Sequence, residues 1–105
     1  ILLDKALQCI GLAKKAGRLA TGTENVLEAV RNGKAVAVLA ASDVSDNTAK
    51  LIRDKTASYN VKLIVTDHTR AELGNILGNA ACACVAFTDN GFASMYQRAT
   101  EQPRR

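Results

Sequence analysis

Aromatic residues are scarce in this chain. They make up 4% of its 105 residues, and tryptophan is absent. A core of stacked rings is excluded, so Leu, Val, Ile and Ala must supply it in closely packed layers; a hydrophobic content of 48% allows this. The same scarcity leaves few rings on which bases could stack. Cysteine numbers three, an odd count. The spacing of Cys9, Cys82 and Cys84 fits neither a disulfide framework nor a zinc site. Each reads as a small buried hydrophobe in a reduced, intracellular protein. The single histidine, His68, has no Cys or Glu pair beside it and reads as a surface neighbour of a helix cap. Long apolar runs are missing too. The longest are strand-length, so no membrane span or signal peptide is legible. The chain begins at Ile1, without an initiator Met and inside a helical pattern, so a few residues are expected to precede it.

What is present suits one domain, expected over residues 1–99 with a polar, disordered tail at 100–105 that holds the single proline. A domain of this length buries roughly two-thirds of its unfolded surface. Net charge is +4 and the pI is about 9.2. A basic balance favours a polyanion, because phosphate attraction adds affinity without sequence-specific contacts. Ordinary surface lysines would give the same totals.

The organising stretch is RLATGTENVLEAVRNGKA, residues 18–35. Thr21 and Glu24 stand three apart, the spacing of a capping box. Val26, Leu27, Ala29 and Val30 give an apolar stripe at helical spacing, and Asn32-Gly33 stops the helix. Its N-terminus offers free amides and the positive end of a dipole to an anion. Lys14, Lys15, Arg18, Arg31 and Lys34 flank it in sequence. Asn25 carries both a donor and an acceptor for base edges, and Glu24 can accept from exocyclic amines. A well-capped helix start would explain Thr21 and Glu24 equally well, but not the clustered cations.

The rest alternates. A helix over residues 1–16 carries Leu3, Ala6, Leu7, Ile10 and Ala13 on one face and stops at Gly17. VAVLAA (36–41), VKLIVT (61–66) and CACVAFT (82–88) read as buried strands, and the alternation in CACVAFT puts Cys82 and Cys84 on one face. Ser45 caps a helix running to Tyr59, and Asn60 breaks it. Thr69 and Glu72 form another capping box, and Gly78 ends that helix. Asp89 or Asn90 caps a last helix through Arg98. Asp43 and Asp46 could pair at a strand end, where α/β active sites form; no nucleophile, base or glycine-rich phosphate loop accompanies them, so they read as caps. The expected fold is α/β: a three-layer α/β/α sandwich with a four-stranded mixed sheet.

GTENVLEAVRNGKAVAVLAASD followed by NVKLIVTDHTRAELGNILG resembles the ribosomal-protein family that binds kink-turn RNA, the L7Ae and L30e kind, in its small bacterial YlxQ-like branch. The resemblance runs from Leu3 to about Met95. Its most specific pieces are Glu72-Leu73-Gly74 and Gly22-Thr23. It implies the same sandwich, with the N-terminus of the second helix entering the groove of a bent internal loop at tandem sheared G·A pairs. By that resemblance Gly22, Thr23, Glu24 and Asn25 form the RNA-reading corner, and the loop Asn79-Ala80-Ala81 touches a flipped-out nucleotide. The family commonly has Asn-Glu, then Lys three residues after the Glu. Here the order is Glu24-Asn25, and Glu28 stands where the Lys would be. A different RNA target and weak kink-turn binding both stay open.

The reading is a cytoplasmic, monomeric, non-catalytic RNA-binding protein of ribosomal type. Its partners are structured RNA and, beyond that, ribosomal or RNA-processing proteins; no membrane, metal or cofactor is expected. One alternative is a protein-interaction module that kept the fold and lost kink-turn recognition. Another is a small enzyme with a thiol or carboxylate site.

Overall fold

The computed structural model describes residues 5–79 and 81–101. Helix α1 (Lys5–Lys15) buries Ala6, Cys9, Ile10 and Ala13 at helical spacing. Its expected start at Ile1 lies outside the described residues. Lys14 and Lys15 occupy its last turn, where the helix dipole favours cations, and Gly17, at φ +73°, turns the chain into β1 (Leu19–Thr21). Helix α2 (Thr23–Arg31) and β2 (Ala37–Ala40) follow. In α3 (Asp46–Ser58), Ser45 caps the start: its Oγ accepts from the Thr48 amide at 3.3 Å. Asn60, at φ +58°, ends that region and leads into β3 (Lys62–Val65).

Helix α4 (Arg70–Leu77) opens with the expected capping box. Thr69 Oγ1 accepts from the Glu72 amide at 3.2 Å, and Glu72 Oε1 accepts from the Thr69 amide at 2.9 Å. Asp43 is a cap as well, though of this distant helix. Its Oδ1 accepts from the Arg70 amide at 2.8 Å and faces the Arg70 guanidinium at 3.5 Å. The chain then forms β4 (Cys84–Phe87) and α5 (Asn90–Glu101). The last helix therefore continues past Arg98 and takes in Thr100 and Glu101, which the sequence had assigned to a tail.

The strands lie in the order β1-β4-β2-β3. β4 runs antiparallel to both β1 and β2, while β2 and β3 are parallel. One core holds α1, α4 and α5 against Leu39, Val85 and Phe87; the other holds α2 and α3 against Val38, Cys84 and Ala86. This is the expected three-layer α/β/α sandwich with a mixed sheet. With so few aromatics, one ring pair anchors the first core. Phe87 and Tyr96 stand 5.6 Å apart at 46°, and the buried Tyr96 hydroxyl donates to Thr66 Oγ1 at 3.0 Å. Such a pair adds about 0.5–1.5 kcal/mol beyond its buried area.

Two expectations about burial are corrected. β2 and β4 are buried along their whole length, but β3 is an edge strand with Lys62 and Val65 exposed. Cys82 and Cys84 do not share a face, because the strand begins at Cys84. Cys82 packs into the core under α1, α4 and α5, and Cys84 into the one under α2 and α3.

Candidate nucleic-acid interface

The start of α2 is built differently from the capping box its sequence suggests. Thr21 is not a cap. It is the last residue of β1, paired with Val85 of β4. The helix begins two residues later, and Gly22 is its N-cap, with no side-chain capping hydrogen bond. Gly22 sits at φ +89° and ψ 151°, a backbone conformation essentially restricted to glycine. Its own amide donates to the Cys84 carbonyl at 3.1 Å, which ties the corner to the start of β4. The Val26 amide is the first to close a helical turn, onto the Gly22 carbonyl at 2.9 Å. The amides of Thr23, Glu24 and Asn25 therefore precede the first intrahelical bond. Gly22 and Thr23 are half-buried, while Glu24 and Asn25 are exposed, so among the described residues no segment closes over the terminus.

Beside this corner lies an open groove of about 350 Å³. Lys14 contributes from the end of α1, Leu19, Ala20 and Thr21 from β1, Asn25 and Glu28 from one side of α2, Asn32 from its C-cap, and Lys34 from the turn beyond it. The structure thus brings together Lys14, Asn25, Glu28 and Lys34. Asn25 is held in place: its Nδ2 donates to the Thr21 carbonyl at 2.9 Å. Lys15 is exposed in the last turn of α1, and Arg18 on the connection from α1 to β1. Glu24 and Arg31 do not line the groove, although each stands one helical turn from Glu28, which does. Arg31 closes the helix, about 12 Å along its axis from Thr23, so it does not share the N-terminal corner. Asn32 was missed in the sequence, although its spacing from Asn25 and Glu28 repeats the helical period.

The loop before β4 adjoins the same corner. The Gly22 amide meets Cys84, the Ala41 amide donates to the Ala83 carbonyl at 2.9 Å, and the Cys82 amide to the Arg70 carbonyl at 3.0 Å. Ala81 is exposed on this loop; Ala80 lies outside the described residues.

Cys9 and Cys84 are poor nucleophiles here. Burial pushes the Cys84 thiol up to about 11, while its contact with Thr23 and the nearby Cys82 act in smaller measure. Burial likewise raises Cys9, whose Sγ donates to the Phe92 carbonyl at 3.4 Å. Protonated thiols neither attack nor bind metals well. Among the described residues no group of three or more His, Cys, Asp or Glu side chains could hold a metal ion, and no helix is long and apolar enough to cross a membrane.

Residues 4–96 match the model of the ribosomal protein L7Ae/L30e/S12e/Gadd45 family. The chain belongs to this family. Two of its L7Ae-type relatives are named RNA-binding protein YlxQ. The one from Bacillus subtilis (strain 168) is 40% identical over 85 residues, 81% of this chain and 84% of the relative. The one from Enterococcus faecium is 39% identical over 90 residues, 86% of this chain and 85% of the relative. A solved structure of a protein of unknown function from Bacillus halodurans C superposes with a TM-score of 0.87 at 32% identity, covering 95% of this chain and 100% of that one.

Proposed function

We propose that this protein is a non-catalytic RNA-binding protein of the ribosomal, kink-turn-binding type, which grips structured RNA at the N-terminus of α2. The observation that carries this is the uncapped start of α2. Its first-turn amides and dipole stand beside a groove holding Lys14 and Lys34, and such a terminus suits phosphate oxygens or base acceptors. The family and the printed names of the two relatives support RNA as the ligand. In this reading Gly22, Thr23, Glu24 and Asn25 meet the bases. Lys14, Lys15, Arg18, Arg31 and Lys34 meet phosphates, which position an RNA without reading its sequence. Ala80 and Ala81 touch a nucleotide turned out of the stack. Residues 1–99 act as one domain, monomeric and cytoplasmic, with ribosomal or RNA-processing proteins as further partners.

A gel-shift titration of a kink-turn RNA against a straight duplex of equal length tests it. The bent RNA should bind more tightly. Equal affinities would remove the kink-turn part, and no binding to either would remove RNA.

A second reading is favoured by one observation: Glu28 places a carboxylate in the groove where phosphates would pass. The fold would then serve as a protein-interaction module that has lost kink-turn specificity. Partners that survive ribonuclease in a pull-down favour this reading; partners lost with the RNA favour the first.

A further inference from the structure

We propose that the groove beside α2 selects bases that carry an exocyclic amine, and that Glu28 is the residue that reads that amine. The inference rests on the RNA-binding reading above and says which edge of the RNA this site takes.

The argument starts from Asn25. Its amide nitrogen donates to the Thr21 carbonyl at 2.9 Å. A carbonyl accepts and never donates, so this contact fixes which way the amide points and leaves Oδ1 as the free acceptor. Glu28 follows three residues later on the same side of the helix. It is exposed and lines the same groove, and its carboxylate has no hydrogen-bond or ion-pair partner among the described residues. An ionised carboxylate accepts hydrogen bonds and cannot donate one. Two acceptors therefore stand together, with Lys14 and Lys34 in the walls around them.

That pattern discriminates between base edges. The O6 and N7 of guanine and the O4 of uracil are acceptors, so each would meet a carboxylate acceptor to acceptor. The N4 amine of cytosine, the N6 amine of adenine and the N2 amine of guanine are donors that Glu28 can accept from. The two lysines would meanwhile take the phosphates on either side of that base. A carboxylate that contributed nothing would only repel the backbone in this position. One that accepts from an amine gains a charge-assisted hydrogen bond instead.

The test is a double-mutant cycle between one side chain and one atom group. A kink-turn RNA is made with its natural bases. It is also made as a series in which single loop nucleotides lose their amine: adenosine to purine riboside, guanosine to inosine, cytidine to the pyrimidinone riboside. Each RNA is titrated with the wild-type protein and with Glu28→Ala. The variant should fold, since the Glu28 side chain is exposed and makes no hydrogen bond or ion pair among the described residues, and its circular dichroism checks this. One amine deletion should weaken wild-type binding by about tenfold. Glu28→Ala should weaken binding of the natural RNA by a similar factor, and that same deletion should then have no further effect on the variant. The inference is overturned if every deletion acts equally on both proteins, or if Glu28→Ala binds the natural RNA as tightly as the wild type or more so. Failure of the wild type to bind any of these RNAs is a different result, and it removes the RNA-binding reading itself.

Discussion

Cys84 shows what burial does to a single ionisable group. Its side chain is closed between β4 and α2, in a core shared with Val26, Val30 and Ile52, and desolvation lifts its pKa from the ordinary 9.0 to about 11. The unfolded chain then gives up this proton before the folded one does. The folded state keeps its full advantage below pH 9.0 and loses it as the pH climbs towards about 11. The upper limit of that loss is about 3 kcal/mol. Lysines and tyrosines titrate in the same range, so the informative quantity is a difference. Unfolding free energy measured from pH 8 to 11, as round settings of about one-unit steps, should fall less steeply for Cys84→Ala than for the wild type. Parallel curves would mean that the thiol ionises in the folded protein as readily as in the unfolded chain.

At the scale of elements, two identical spacings came to different ends. Thr21-x-x-Glu24 and Thr69-x-x-Glu72 both read as capping boxes, and only the second forms one. The reason is tertiary. Thr21 is held in register with Val85 across the sheet, so its backbone is extended and the helix cannot start until Gly22 has turned the chain. No local pattern reports that pairing. The edge position of β3 was hidden for the same reason, since strand order is a long-range property; the one local sign was Lys62, a charge of the kind that protects sheet edges. Helix stripes, caps at Ser45 and Thr69, and stops at Gly17, Gly33, Asn60 and Gly78 were legible because each depends on a few neighbours. Of the candidate site, the Lys14, Asn25 and Lys34 contributions could be read from the chain, whereas the groove uniting them needed α1, β1 and α2 in place. The difference between the two threonines is measurable. Thr69→Val removes a working cap and should cost about 1 kcal/mol. Thr21→Val keeps a β-branched residue in a strand and should stay within about 0.5 kcal/mol of the wild type. Denaturant titration of both checks the pair, and equal losses would restore Thr21 as a cap.

For the whole molecule, strand order decides which cations can act together. β1 lines the groove through Leu19, Ala20 and Thr21. β3 lies three strand spacings away at the far edge, roughly 14 Å across the sheet. Lys62 on β3 is exposed and adds to the net charge of +4, yet it does not line the groove that Lys14 and Lys34 line. General attraction to RNA and contact with it therefore separate in one experiment. Binding to a kink-turn RNA is measured over a range of salt concentrations. Each lysine that releases a counterion on contact contributes about 0.7 to 0.9 to the log–log slope. Lys14→Ala and Lys34→Ala should each flatten the slope by that amount, and Lys62→Ala should leave it unchanged. If all three variants shift the slope alike, the protein holds RNA by its overall field and the corner at α2 has no special part in it. If Lys14→Ala and Lys34→Ala change the slope by the sum of their separate effects when combined, the two lysines grip separate phosphates; a combined change no larger than either alone would mean that they share one.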